Sequence, residues 1–78
     1  MARLDLNHIT RVDKQRNTVH DKVAATYTVF KADDETFVQI DTYGRAERAI
    51  PEKISQSIQL DKESAKYLVN ILRDEFEL

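Results

Sequence analysis

The 78-residue chain predicts a small α+β domain: an antiparallel sheet of three or four strands with one C-terminal helix packed on one face. Three observations carry this expectation. The C-terminal segment repeats apolar residues with helical spacing, a long stretch before it has the pattern of a β-hairpin, and a third segment between them alternates with a period of two. Residues 1–78 are expected to form one domain, because a chain this short buries only about 60–65% of its unfolded surface and cannot support a second core.

The first 22 residues are the least patterned. Ile9 and Val12, within His8-Ile9-Thr10-Arg11-Val12, suit a short strand, with Asp13–Asn17 turning into Thr18-Val19-His20. A short amphipathic helix at the start of the segment is the alternative.

Residues 23–43 read as a hairpin. Val23–Phe30 is rich in β-branched and aromatic side chains, Asp33-Asp34-Glu35 is a polar turn, and Thr36–Tyr43 alternates. In that second strand Val38 and Ile40 face the helix, while Phe37, Gln39, Asp41 and Tyr43 share the opposite face. Gly44, the only glycine, stands just after the strand, where a positive φ is often needed. Pro51, the only proline, stiffens the connection that follows.

Residues 54–60 form the third strand. Ile54, Ile58 and Leu60 lie on one face, interrupted by Gln56, and Ser55, Ser57 and Gln59 lie on the other. Residues 62–76 form the helix. Asp61 serves as N-cap, and Ala65, Leu68, Val69, Leu72 and Phe76 make one apolar stripe, widened by Tyr67 and Ile71.

Composition narrows the function classes. With 41% apolar and 33% charged residues, the chain belongs among folded proteins rather than disordered ones. No apolar run is long enough for a membrane span, and the N-terminal Met1–Asn7 lacks the apolar core of a secretory signal. The absence of cysteine removes disulfides, thiolate metal sites and thiol chemistry. A cytoplasmic location is the economical expectation.

The net charge of −2 excludes a general duplex-DNA binder, which needs a basic field to neutralise several phosphates. Charge is nevertheless uneven: residues 23–44 hold Lys31 against Asp33, Asp34, Glu35 and Asp41, whereas Arg45, Arg48 and Lys53 follow close behind.

Residues 41–59 concentrate the chemistry. Arg48 offers a planar fork for two phosphate or carboxylate oxygens, and Lys53 a point charge. Gly44 allows backbone N–H groups to turn inward, Ser55, Gln56 and Ser57 supply further polar groups, and Tyr43 offers a ring for base stacking. The competing reading is structural: Arg48 and Lys53 pair with Glu47, Glu52 or Asp41 and hold a long loop shut.

The same segment resembles a short family of bacterial and phage proteins. Their pattern runs Asp-Thr-Tyr-Gly-Ser, then Arg, then Pro-Gly-Lys, then Ser-Gln-Ser, ahead of a C-terminal helix. The matching positions are Asp41, Thr42, Tyr43, Gly44, Arg48, Pro51, Lys53, Ser55, Gln56, Ser57 and Gln59. The chain departs from the pattern at Arg45, where a small hydroxyl is usual, and at Glu52, where glycine is usual. The resemblance covers about half the chain, and implies a prokaryotic or phage origin and a site in this segment, without a reaction.

Other constellations are thinner. His8 and His20 meet only if Asp13–Asn17 is a turn, so no metal site is expected. No serine stands in a nucleophile elbow or beside a clear base, so neither catalysis nor a cofactor is expected. Phe37, Gln39 and Asp41, on the face away from the helix, suit a self-complementary homodimer interface.

Two functions follow as expectations. One is a non-catalytic binder of a phosphate-bearing ligand, a nucleotide or short single-stranded nucleic acid, held by Tyr43, Gly44, Arg48, Lys53, Ser55, Gln56 and Ser57. The other is a protein-interaction module, such as a phage or mobile-element inhibitor or adaptor of a host machine, acting through the open sheet face.

Overall fold

A computed structural model describes residues 1–44 and 53–78. Four strands form one mixed sheet: β1 (Ala2–Arg3), β2 (Ala25–Ala32), β3 (Glu35–Tyr43) and β4 (Ile54–Leu60), followed by helix α1 (Lys62–Phe76). The spatial order is β1-β4-β3-β2, so β3 and β4 lie inside and β2 forms one edge. The three long strands are antiparallel, as their patterns predict, and the short β1 joins β4 in parallel. That parallel pairing lay beyond the sequence, because two residues are too few to show a period.

The hairpin is continuous from Ala25↔Thr42 to Ala32↔Glu35. Its turn places Asp33 and Asp34 at φ 52° and 64°, the left-handed geometry of a two-residue hairpin turn that matches the strand twist. Aspartate tolerates this region better than most residues. Positive φ among the described residues falls on these two and on Glu77 at the end of α1, and Gly44 is not among them.

Residues 9–24 take neither the strand nor the helix that their apolar residues allow. A 3-10 turn, Leu6–His8, precedes them, held by Asp5, whose carboxylate accepts from Asn7 N–H (2.9 Å) and pairs with His8 Nδ1 (2.8 Å). Val12 and Val19 find no core to enter and stay 68% and 96% exposed.

Helix α1 starts where β4 ends and packs against β4 and the 3-10 turn. Asp61 caps it reciprocally: its Oδ1 accepts from Ser64 N–H (2.9 Å), and its own N–H donates to Ser64 Oγ (3.1 Å). Asp61 Oδ2 also accepts from Arg3 of β1 at 2.9 Å. These bonds hold the Asp61 carboxyl down at about 2 against an ordinary 3.8, the Ser64 backbone bond contributing most.

The Arg3 guanidinium lies over the Phe37 ring, 4.8 Å from its centroid. Phe37 stacks in turn on Phe30 at 5.5 Å. Phe37 was expected on an open face; it is instead the one buried apolar side chain among the described residues, at 6% exposure. The cause is this stack, closed from above by a cation that only the parallel β1 brings within reach.

Two predictions follow from this packing. Phe37→Ala lowers unfolding free energy by about 3–5 kcal/mol, whereas Ile40→Ala, at a position 39% exposed, costs far less; urea titration of both variants measures the contrast. The Asp61 carboxylate binds fewer protons folded than unfolded, so its contribution is complete above about pH 4 and disappears as pH falls toward about 2. Asp61→Asn keeps a good N-cap but loses the charge. Its melting temperature therefore falls less steeply than that of the wild type over that interval in a pH series of thermal melts.

Candidate functional site

The face that carries Phe37 continues along β3 as a row of polar side chains. Gln39 lies opposite Gln59 and Asp41 opposite Ser57. Gln59 Nε2 donates to Gln39 Oε1 (2.8 Å), and Gln39 Nε2 donates to Asp41 Oδ1 (2.9 Å). The Ser57 hydroxyl donates to the same Asp41 oxygen. Asp41 and Ser57 are buried, at 6% and 7% exposure, and no buried side-chain polar atom of the described residues lacks a partner. At the end of the row Tyr43 Oη and Thr26 Oγ1 share a hydrogen bond of 3.0 Å.

This arrangement redistributes the residues expected to bind a phosphate-bearing ligand. Tyr43 ends β3 and Gly44 follows it, both half-buried. Lys53 stands exposed just before β4. Gln56 pairs with Thr42 and so occupies the face opposite Ser57. A register shift follows, for Tyr43 lies opposite Ile54 rather than Ser55. The additional residue turns Ile54 to the Tyr43 side, so the simple alternation that grouped Ser55 with Ser57 stops at the bulge. Arg48, the expected anion fork, lies outside the described residues, as do Glu47, Pro51 and Glu52.

The described part of the segment therefore supplies a carboxylate at its centre, with the Ser57 donor already directed at it. Such a centre repels an anion at close range and gives a structural reason for Ser57 and Gln39 to be there. The residues proposed for an interface on this face are committed inward: Phe37 to its aromatic stack, Gln39 and Asp41 to the hydrogen-bonded row. A hollow on the other face, between the hairpin turn and the start of α1, is lined by Asp34, Glu35, Asp61 and Glu63 around Val38 and Leu60. Lys62 is the one cation on its rim, set against those four carboxylates.

Sequence reasoning passed over Arg3 and Thr26. Arg3 is an isolated cation far from residues 41–59, and only strand order places it beside Phe37 and Gln59. Thr26 lies opposite Asp41 in the hairpin register, and its hydroxyl reaches Tyr43 diagonally, two residues along β3.

No family model matches the chain, and neither a curated protein nor a solved structure is found similar to it.

Asp41→Ala leaves the Ser57 and Gln39 donors without their shared acceptor and costs about 1–3 kcal/mol of stability. Adding Ser57→Ala to that variant costs less than Ser57→Ala alone in the wild type, a coupling that a double-mutant cycle in urea measures.

Proposed function

We propose that this protein is a non-catalytic protein-interaction module whose contact surface is the sheet face opposite the polar row. One observation carries the reading. Tyr27, Ile40 and Ile58 stand opposite one another across the three long strands, with Val29, Val38 and Leu60 in the next row. Tyr27 is 75% exposed, Val29 57%, Ile40 39% and Ile58 42%. Val38 and Leu60 are half-buried beside α1, and the contiguous apolar surface left exposed by the other four marks an interaction site.

The helix extends the same property. Ala65 and Leu68 are half-buried, but Val69, Leu72 and Phe76 of the same stripe are exposed. The radius of gyration, 14.8 Å, exceeds the about 11–12 Å expected of a compact chain of this length. A partner supplies the burial that the protomer lacks.

Charge favours a protein as that partner. On α1, Lys62, Lys66 and Arg73 are matched by Glu63, Asp74 and Glu75, so the helix has no basic face for anionic lipid. No helix of the described residues is long and apolar enough to cross a membrane. The net charge of −2 gives no general attraction to nucleic acid. The phosphate-ligand reading rests on Arg48 and Lys53, with Asp41 between the strands as its opponent. Self-association as a homodimer belongs to the interaction reading.

The test screens the full chain against a display library of protein fragments and, in parallel, against nucleotides and short single-stranded DNA. Fragments with an apolar face are expected to bind the wild type and to lose affinity at least tenfold for Ile40→Lys and Ile58→Lys, which corresponds to about 1.4 kcal/mol. Nucleotide binding abolished by Arg48→Ala or Lys53→Ala, with no fragment sensitive to the face substitutions, would overturn the proposal.

A further inference from the structure

The outer edge of β2 carries a second, independent signal, because it depends on backbone geometry rather than on the apolar face. In an antiparallel ladder, residues alternate between those whose N–H and C=O point to the neighbouring strand and those whose groups point away. Tyr43 N–H donates to Ala24 C=O at 3.0 Å. This bond fixes the phase of the whole hairpin. Thr26, Thr28, Phe30 and Ala32 turn their backbone groups to β3, and Ala25, Tyr27, Val29 and Lys31 turn theirs outward.

Strand β2 is at the end of the sheet order, and no described strand pairs with that outer edge. Natural edge strands are shielded by proline, a bulge, shortness or several charges. Residues 25–32 contain no proline and one charge, Lys31, and the pairing with β3 runs through eight residues without a shift. Such an edge accepts another strand.

We propose that β2 pairs antiparallel with β2 of a second copy of this chain, about a twofold axis through Thr28, joining two four-stranded sheets into one. The register follows from the outward residues. With the axis at Thr28, Ala25 meets Lys31 of the second copy and Tyr27 meets Val29, so all the outward backbone groups are bonded and no like charges face each other. With the axis at Val29, Ala25 meets Asp33 in the turn and its groups go unpaired. A second copy presents this same edge to its partner, so the register that bonds every outward group on one chain bonds every one on the other. The pairing also sets the two apolar faces side by side, so that Tyr27 and Val29 form the middle of one doubled surface. It extends the interaction reading to a specific partner without depending on it.

The test measures mass in solution by sedimentation equilibrium on the full chain and its variants. The wild type is expected to be a dimer. Val29→Pro removes an outward N–H and leaves the β2–β3 bonds in place, so it is expected to be a folded monomer by circular dichroism. Ile40→Lys is expected to remain dimeric, because Ile40 lies on the face and away from the seam.

The chain has no cysteine, which makes a single introduced thiol diagnostic. At the axis, two Thr28 residues form a non-hydrogen-bonded pair with Cα atoms about 4.5 Å apart, within disulfide range. Thr28→Cys is therefore expected to cross-link on oxidation, and Phe30→Cys is not. A wild type that stays monomeric at all concentrations overturns the proposal. So does a dimer that survives Val29→Pro but dissociates with Ile40→Lys, a result that would place the contact on the face and leave the interaction reading standing. Cross-linking of Val29→Cys in place of Thr28→Cys overturns the register.

Discussion

The contact on which the structure turns is the ion pair between Arg3 and Asp61. One carboxylate accepts from the guanidinium of β1 and from the first-turn backbone of α1. It thereby ties the start of the chain to the point where strand becomes helix. The same guanidinium covers Phe37, so the electrostatic junction and the only buried apolar ring of the described residues share one side chain. A small chain has little apolar surface to bury, and here a cation takes the place that a second hydrophobic layer fills in a larger domain.

That choice inverts the ordinary division of a sheet. The inner side of this one holds Phe37, Gln39, Asp41 and Ser57, all with partners inside the protomer. The opposite side, rich in valine, isoleucine and tyrosine, remains open beyond the first turns of α1. Buried polar groups tolerate only arrangements that satisfy them, so the glutamine–aspartate row fixes strand register more strictly than apolar packing alone. Its neighbours on the other face are free of that obligation and are available for contact.

An open apolar face and a bare strand edge are two expressions of the same shortage. Domains of this size ordinarily complete their burial with disulfides, metals or association. Cysteine is absent, and no group of metal-ligating side chains gathers among the described residues. Association is the route that the proposed strand addition would take. Strand addition at β2 and contact across the Tyr27–Ile40–Ile58 row are compatible, since one uses backbone groups in the plane of the sheet and the other side chains normal to it.

The sequence by itself determined the elements that repeat. Helix α1 and its N-cap at Asp61, a hairpin turning near Asp33-Asp34-Glu35, the strand from Ile54 and the division of β3 into two faces were all legible, because period and turn chemistry are local properties; that Glu35 belongs to the ladder, opposite Ala32, was not. The candidate site was legible only as a concentration of polar residues. Tertiary structure decided which of them meet: strand order brought Arg3 to Phe37 and Asp61, hairpin register brought Thr26 within reach of Tyr43, and a bulge set Ile54 rather than Ser55 opposite Tyr43. It also decided which face is covered. A period of two separates the faces of a strand without stating which is inside, because burial depends on what another part of the chain places above it. Here that part is a two-residue strand at the N-terminus, too short to leave a pattern of its own.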